Sequence, residues 1–267
     1  MSSAEQATGM KTSTAPASSP ARKPPRLRLF VLLAGILVVV GAGFVAFAIH
    51  YRNSHNAVGS LGTSMRASGI PADISTPLAN FMGLDPLPSK PAPDFTLADQ
   101  HGHTVSLSSF RGHPVVLEFM DPHCTDICPL VSQEFVNAYH DLGSAGRSVV
   151  FVAVNVNRYA LTVTDVATFS AAHGLDAIPT WHFFTGPYAT LAAIWRQYGI
   201  AVISRGPTKD TIHSSIIYFI GPNGQERFLG SPQDDHTKSG KAYLPLNQLA
   251  EWGKGIALVS KNLLPGR

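Results

Sequence analysis

The chain has 267 residues, of which 45% are hydrophobic and 14% are charged, with 20 basic residues against 17 acidic ones. From Pro91 onward there are 12 basic and 14 acidic residues, a balance of 12 − 14 = −2, so the positive excess belongs to the N-terminal region. A domain of this charge lacks the basic surface that nucleic acid binding requires, and we expect no nucleic acid partner.

A polar tail and a membrane anchor begin the chain. Residues 1–28 are rich in Ser, Ala, Thr and Pro, which predicts a disordered tail. Leu29 begins and Ile49 ends an apolar run of 21 residues, long enough as a helix to cross a hydrocarbon core of about 30 Å. Four basic residues lie at positions 22–28, directly before this run, and only Arg52 follows it closely. We therefore expect a single-pass protein of the cell membrane with a cytoplasmic N-terminus and an extracytoplasmic C-terminal domain.

Two further features concern how the domain is attached. The tripeptide Ala46-Phe47-Ala48 resembles a signal-peptidase site, so cleavage is an alternative, although the apolar run is longer than that of a cleavable signal. Residues 50–90 contain Gly, Ser, Asn and scattered prolines without a sustained period, which predicts a flexible linker, with room for a short helix around Leu78 to Leu84. Residues 91–267 then show the pattern of one compact α/β domain.

The hydrophobic pattern of this domain predicts strands and helices in a fixed order. We expect a hairpin at 95–107, a strand at 115–120 and a helix at 129–142, then a buried strand at 148–154. A helix at 165–173, a short strand at 181–184 and a helix at 188–198 follow. The chain ends with strands at 214–220 and 226–229 about a Gly-Pro-Asn-Gly turn, and a helix at 246–258.

The two cysteines of the chain, Cys124 and Cys128, lie between the strand at 115–120 and Pro129. Proline suits the first position of a helix, so both thiols are predicted on the turn into that helix, where the positive dipole end favours thiolate. Three intervening residues place the sulfur atoms about one helical turn apart, which suits a soft ion such as Cu(I). The same spacing permits a Cys124–Cys128 disulfide, and an inert buried thiol pair is the remaining alternative.

The order of the elements resembles the thioredoxin-like fold, a central mixed sheet flanked by helices. Within it, the motifs at 123–129 and 212–224 resemble those of the Sco/SenC family of copper chaperones, as does Trp181-His182-Phe183-Phe184-Thr185-Gly186. The resemblance spans roughly Pro93 to Trp252. It implies a protein that takes part in the assembly of cytochrome c oxidase.

The resemblance also implies a ligand set and a client. In that family two cysteines and one histidine bind copper, which implies Cys124, Cys128 and His213 as ligands of Cu(I) or Cu(II). His213 precedes an apolar strand, at the place where other thioredoxin folds carry a proline that faces the cysteines. Two thiolates and an imidazole suit copper. The implied client is the copper centre of cytochrome c oxidase subunit II.

The chain departs from the family pattern at three places. Thr125 stands where the family has a proline, and Met120-Asp121-Pro122 replace an aromatic residue and glycine. After the strand at 148–154, Asn155-Val156-Asn157-Arg158 stand where the family tends to have a loop with Asp-Pro. These changes touch the surface that we expect to dock the client.

Glu118 supports a different function. It lies six residues before Cys124, the spacing at which thioredoxins carry a buried acid. A desolvated carboxylate has a raised pKa and can act as a general base, so Cys124 and Cys128 with Glu118 would form a membrane-tethered thiol–disulfide oxidoreductase that acts on exported cysteines. The alternative is a carboxylate that is hydrogen-bonded or reaches solvent. The sequence leaves open whether the chain is an enzyme.

Two further classes of function have weaker support in the sequence. A redox-dependent binding or sensor module would use the same thiol pair. A peroxiredoxin-like peroxidase is suggested by the stretch from Thr125 to Cys128, which fits the second half of a Pro-x-x-x-Thr-x-x-Cys motif. The proline of that motif would be needed at Asp121 and stands instead at Pro122, which disfavours this function.

Overall fold

The computed structural model describes residues 68–208 and 211–266. The five helices of these residues are α1 (Thr76–Phe81), α2 (Ile127–Leu142), α3 (Val163–Ala172), α4 (Tyr188–Gln197) and α5 (Leu246–Asn262). The strands are β1 (Asp85–Pro91), β2 (Thr96–Ala98), β3 (Thr104–Ser106), β4 (Val115–Met120), β5 (Val150–Asn155), β6 (Trp181–Phe184), β7 (Val202–Ile203), β8 (Ile212–His213), β9 (Ile217–Ile220), β10 (Gln225–Gly230), β11 (Asp235–His236) and β12 (Ala242–Tyr243).

A six-stranded mixed sheet in the order β1-β10-β9-β4-β5-β6 forms the centre of the domain. Strands β4, β5 and β6 are parallel, whereas β9 is antiparallel to β4. Parallel strands end at the same edge of a sheet, so the turn after β4 and the loop after β5 lie next to each other. This edge carries the cysteines.

The side chains of β4 alternate between two hydrophobic cores. Val116 and Met120 pack in the core that holds Phe135 of α2, whereas Leu117 and Phe119 pack in the core that holds Leu191 of α4. Helices therefore cover the sheet on both faces, which explains why β4 and β5 read as continuous apolar runs. The arrangement is the thioredoxin-like fold that the sequence predicts.

Several element boundaries differ from the prediction. Helix α2 begins at Ile127 and not at Pro129, so Cys128 lies in its first turn. Pro129 is tolerated there because the first N–H groups of a helix have no partner within the helix. Helix α3 begins after Thr162, whose side chain accepts from the N–H of Asp165. Asp165 is therefore the second member of a capping box, not the cap itself.

The predicted linker at 50–90 is wrong over its last part. Helix α1 and strand β1 are folded, and β1 pairs with β10, with Asp85 opposite Leu229 and Pro91 opposite Gln225. The prolines of β1 suggested a linker because proline cannot donate a hydrogen bond to a sheet. They are tolerated because β1 lies at the edge of the sheet.

The predicted tail, the predicted anchor and the first part of the predicted linker lie outside the described residues. Within 68–208 and 211–266, no helix has both the length and the apolar character needed to span a bilayer. The membrane anchor therefore stays a prediction from the sequence.

Candidate functional site

The two cysteines lie at the carboxyl end of β4, on the turn into α2. The two cysteines are not joined by a disulfide, and Cys124 is 8% exposed whereas Cys128 is 2% exposed. The N–H of Cys128 donates to Cys124 Sγ over 3.4 Å, which favours a thiolate at Cys124. The hydrogen bond with Cys124, followed by burial, raises the pKa of Cys128 well above its usual range. Cys128 is therefore favoured as a neutral thiol.

Strand β8 places His213 against Cys128. Its Nε2 atom lies 3.9 Å from Cys128 Sγ, and its Nδ1 atom lies 3.1 Å from the carbonyl oxygen of Ser214. In the tautomer in which Nδ1 donates to this carbonyl, Nε2 presents its lone pair to the thiol. Burial lowers the pKa of His213, which favours the neutral imidazole that binds metal ions.

Two of the three predicted ligands, Cys128 and His213, have the proximity that one metal ion requires. Bonds of about 2.3 Å to sulfur and about 2.0 Å to nitrogen join ligand atoms up to about 4.3 Å apart. The separation of Cys128 Sγ and His213 Nε2 is 3.9 Å, within that reach. Two thiols and one imidazole are a ligand set that suits copper.

Asp121 directly follows β4, at the start of the cysteine turn, and is fully buried. Its carboxylate accepts hydrogen bonds from the N–H of His123 at 2.7 Å, the side-chain amide of Asn157 at 2.9 Å and the N–H of Thr211 at 3.0 Å. In the sequence this residue is only a departure from the family pattern. The partners Asn157 and Thr211 lie 36 and 90 positions away, and no local signal identifies them.

Glu118 is buried on β4, on the same face as Val116 and Met120, because side chains alternate along a strand. Its Oε1 atom accepts from Ser215 Oγ over 3.2 Å, and its Oε2 atom has no hydrogen-bond partner. Burial raises the pKa of Glu118 from an ordinary 4.5 to about 8. The side chain does not reach solvent, while its role as a general base stays a prediction.

A second buried acid, Glu134 of α2, is absent from the sequence-based site. It is fully buried, and neither carboxyl oxygen has a hydrogen-bond partner. Burial and then the charge of Glu118 raise the pKa of Glu134 well above its usual range. Its position three residues after Val131, on the apolar stripe of the helix, was a signal that could have identified it.

An open groove of about 690 Å³ is lined by His123 and Thr125, the two chain neighbours of Cys124. Among the residues that line it are His123, Asp126, Arg205 and Ile212. His123 Nε2 lies 3.3 Å from Asp165 Oδ1, and His236 Nε2 lies 3.1 Å from Asp126 Oδ1. Polar and charged side chains therefore lie in and beside this groove.

Comparison with known proteins supports the motif-based resemblance. The family model described as SCO1/SenC matches residues 86–242, and this match begins within β1. "Protein SCO2 homolog, mitochondrial" of Bos taurus is 31% identical over 140 residues, which are 49% of this chain and 50% of that protein. The chain thus spans about half the length of this curated relative.

Two further likenesses concern the fold and the weaker alternative. The structure of Bradyrhizobium japonicum ScoI with copper bound superposes with a TM-score of 0.50 at 22% identity, and the match covers 66% of this chain and 100% of that one. This likeness shows the shared fold. "Peroxiredoxin Q, chloroplastic" of Triticum aestivum is 43% identical over 61 residues, which are 23% of this chain and 28% of that protein.

The raised pKa of Glu118 predicts a pH-dependent stability. Between its ordinary 4.5 and about 8 the folded chain keeps a proton that the unfolded chain releases. The free energy of unfolding therefore falls as pH rises through this window, by up to about 1.4 kcal/mol per pH unit for one group. In Glu118→Gln we expect a smaller fall between about pH 5 and about pH 8, measured by urea unfolding of the purified chain.

The matched control is Glu251→Gln, which changes an exposed glutamate of α5 that pairs with Lys254. It should keep the wild-type dependence on pH. An unchanged slope in Glu118→Gln would show that Glu118 is ionised in the folded chain at neutral pH.

Proposed function

The chain belongs to the SCO1/SenC family, whose members are cytochrome c oxidase assembly proteins, and we propose that it is a copper chaperone that delivers copper to a respiratory oxidase. The observation that carries the proposal is the 3.9 Å approach of His213 Nε2 to Cys128 Sγ. These two residues are 85 positions apart in the sequence, and the fold brings them together. The copper bound to the similar ScoI structure supports the choice of metal.

Each ligand has a distinct role in this proposal. Cys124 is more exposed than Cys128 and is favoured as a thiolate, so it meets incoming copper first. Cys128 and the neutral imidazole of His213 then complete the ligand set. Because thiols must lose their protons to bind a metal ion, loading releases protons. The open groove lined by His123 and Thr125, on either side of Cys124 in the chain, would provide room for a client to exchange its own ligands for Cys124.

The proposed client is the copper centre of cytochrome c oxidase subunit II. The support for this choice is the resemblance of the cysteine and histidine motifs to the Sco/SenC family. Of the departures from the family pattern at the cysteine turn, Thr125 is exposed, whereas Met120, Asp121 and Pro122 are buried and cannot themselves contact a client. Binding of this chain to subunit II therefore has to be measured directly.

A second candidate function, thiol–disulfide exchange, is favoured by the buried carboxyl of Glu118. In this reaction the two thiols of Cys124 and Cys128 become a disulfide while a disulfide of the exported client becomes two thiols. Glu118 would take a proton from an attacking thiol and return it to the leaving thiolate. With a pKa of about 8, Glu118 can both accept and release a proton near neutral pH. A peroxidase is less favoured, because the peroxiredoxin likeness covers only 23% of the chain.

The topology proposal rests on the charges around residues 29–49. We expect an uncleaved anchor with the domain outside the cytoplasm. A phosphatase reporter that works only outside the cytoplasm, fused after Arg267, should therefore be active. The same fusion without residues 1–52 should be inactive, and activity of that control would contradict an essential anchor.

The metal-site proposal predicts one Cu(I) per chain. Cys124→Ser, Cys128→Ser and His213→Ala should each weaken binding at least tenfold, because each removes one of three ligands. The measurement is anaerobic competition with a chromophoric Cu(I) chelator. His113→Ala, at an exposed histidine that contacts the Ser148 carbonyl, is the matched control and should bind as the wild type does. Wild-type affinity in His213→Ala would remove that residue from the ligand set.

Glu118→Gln separates the two candidate functions. Copper transfer has no need for a proton at this position, so copper loading and oxidase maturation should stay nearly unchanged. If the chain chiefly exchanges disulfides, the same variant should slow reduction of a model disulfide, while copper binding survives. A large loss of reductase activity together with normal oxidase maturation at limiting copper would make disulfide exchange the main function.

A further inference from the structure

The segment that carries His213 has few attachments of its own. Strand β8 contains two residues and pairs only with β7, where His213 lies opposite Val202. These two strands form a separate sheet and do not join the six-stranded sheet that carries the cysteine turn. The position of His213 relative to Cys128 therefore depends on the nearby start of β9 at Ile217 and on side-chain contacts of the segment, among them that of Ser215 Oγ with Glu118 Oε1 of β4.

Asp121 supplies such a contact. One carboxylate oxygen, Oδ2, accepts the N–H of Thr211 over 3.0 Å, two residues before His213. The other oxygen, Oδ1, accepts the N–H of His123, and the backbone oxygen of Asp121 accepts the N–H of Cys124 over 3.0 Å. One buried residue thus bonds to the histidine segment and to the cysteine turn.

The surroundings of Asp121 explain why it can hold both segments firmly. A buried carboxylate is costly unless donors surround it, and this one also accepts the side-chain amide of Asn157 over 2.9 Å. Since Asn157 follows β5, the loop after that strand is tied to the same point. All three donors are neutral N–H groups with fixed directions, so the contacts specify an orientation.

We propose that Asp121 is the positioning residue of the copper site, holding the His213 segment against the cysteine turn before copper arrives. The copper part of this inference rests on the proposed function. Asp121 itself does not touch the metal. Residues that orient ligands typically change metal affinity about 10- to 100-fold when they are substituted.

The informative variant is Asp121→Asn, which keeps the shape of the side chain. An asparagine has one acceptor oxygen in place of two, and its amide group donates. It can keep the contacts with His123 and Asn157 only by turning its amide group toward the N–H of Thr211. The long-range contact is then lost while the local turn survives.

The first measurement needs no copper. In the reduced full chain in detergent micelles, a nuclear Overhauser contact between the His213 ring and the Cys128 β-protons should be present, and Asp121→Asn should abolish it. The Thr211 amide of the wild type should also exchange slowly with solvent. Fast exchange at Thr211 would overturn the proposal even if no Asp121 variant folds.

The second measurement is a double-mutant cycle in Cu(I) affinity. Asp121→Asn should weaken Cu(I) binding about 10- to 100-fold in the wild type. In the His213→Ala background it should change affinity less than about threefold, because the residue that it positions is absent. The same loss in both backgrounds would show that Asp121 does not act through His213.

The matched control is Asp99→Asn. Asp99 is also buried and accepts two backbone N–H groups, those of His101 and His103, in the β2–β3 hairpin. This control should keep the contact between His213 and Cys128 and the wild-type Cu(I) affinity, and a loss of either would overturn the specific role of Asp121. If the wild type binds no Cu(I), the proposed function fails, while the copper-free measurements still decide the role of Asp121.

Discussion

The hydrogen bonds to the buried carboxylate of Asp121 join three parts of the chain that must meet for a site to exist. They connect the cysteine turn, the loop after β5 and the segment that carries His213. A carboxylate in a dry interior is stable only when donors surround it, so the fold has to bring these segments together to satisfy it. The cysteine–histidine geometry is a consequence of that requirement.

Two buried acids close to the cysteine turn in the sequence, Glu118 and Glu134, have less compensation than Asp121. Glu118 Oε1 accepts from Ser215 while Oε2 has no hydrogen-bond partner, and neither carboxyl oxygen of Glu134 has one among the described residues. Both are therefore favoured as neutral acids, which avoids two uncompensated charges in one core. A protein that retains such groups loses stability, and this cost is a common mark of functional sites. Glu118 and Glu134 lie on β4 and α2, the two elements that flank the cysteine turn.

Copper transfer and disulfide exchange would use the same two thiols. The groups next to the thiols decide which of these two functions is favoured. His213 adds an imidazole to the pair, which favours a metal ion, whereas the neutral carboxyl of Glu118 favours proton transfer. Asp121 belongs to the stretch in which the chain departs from the Sco/SenC pattern. That departure supplies the contacts that orient the site in this chain.

The sequence by itself determined the order of the elements, the limits of β4 and β6 and the place of the cysteines, because apolar runs and turn residues are local properties. It missed β1, since the prolines of Asp85–Pro91 are tolerated only at a sheet edge, and an edge is defined by its neighbours. The meeting of His213 with Cys128 was implied only by resemblance. The contact of Thr211 with Asp121 and the influence of Glu118 on Glu134 were decided by tertiary structure alone. Both depend on packing between segments that are distant in the sequence.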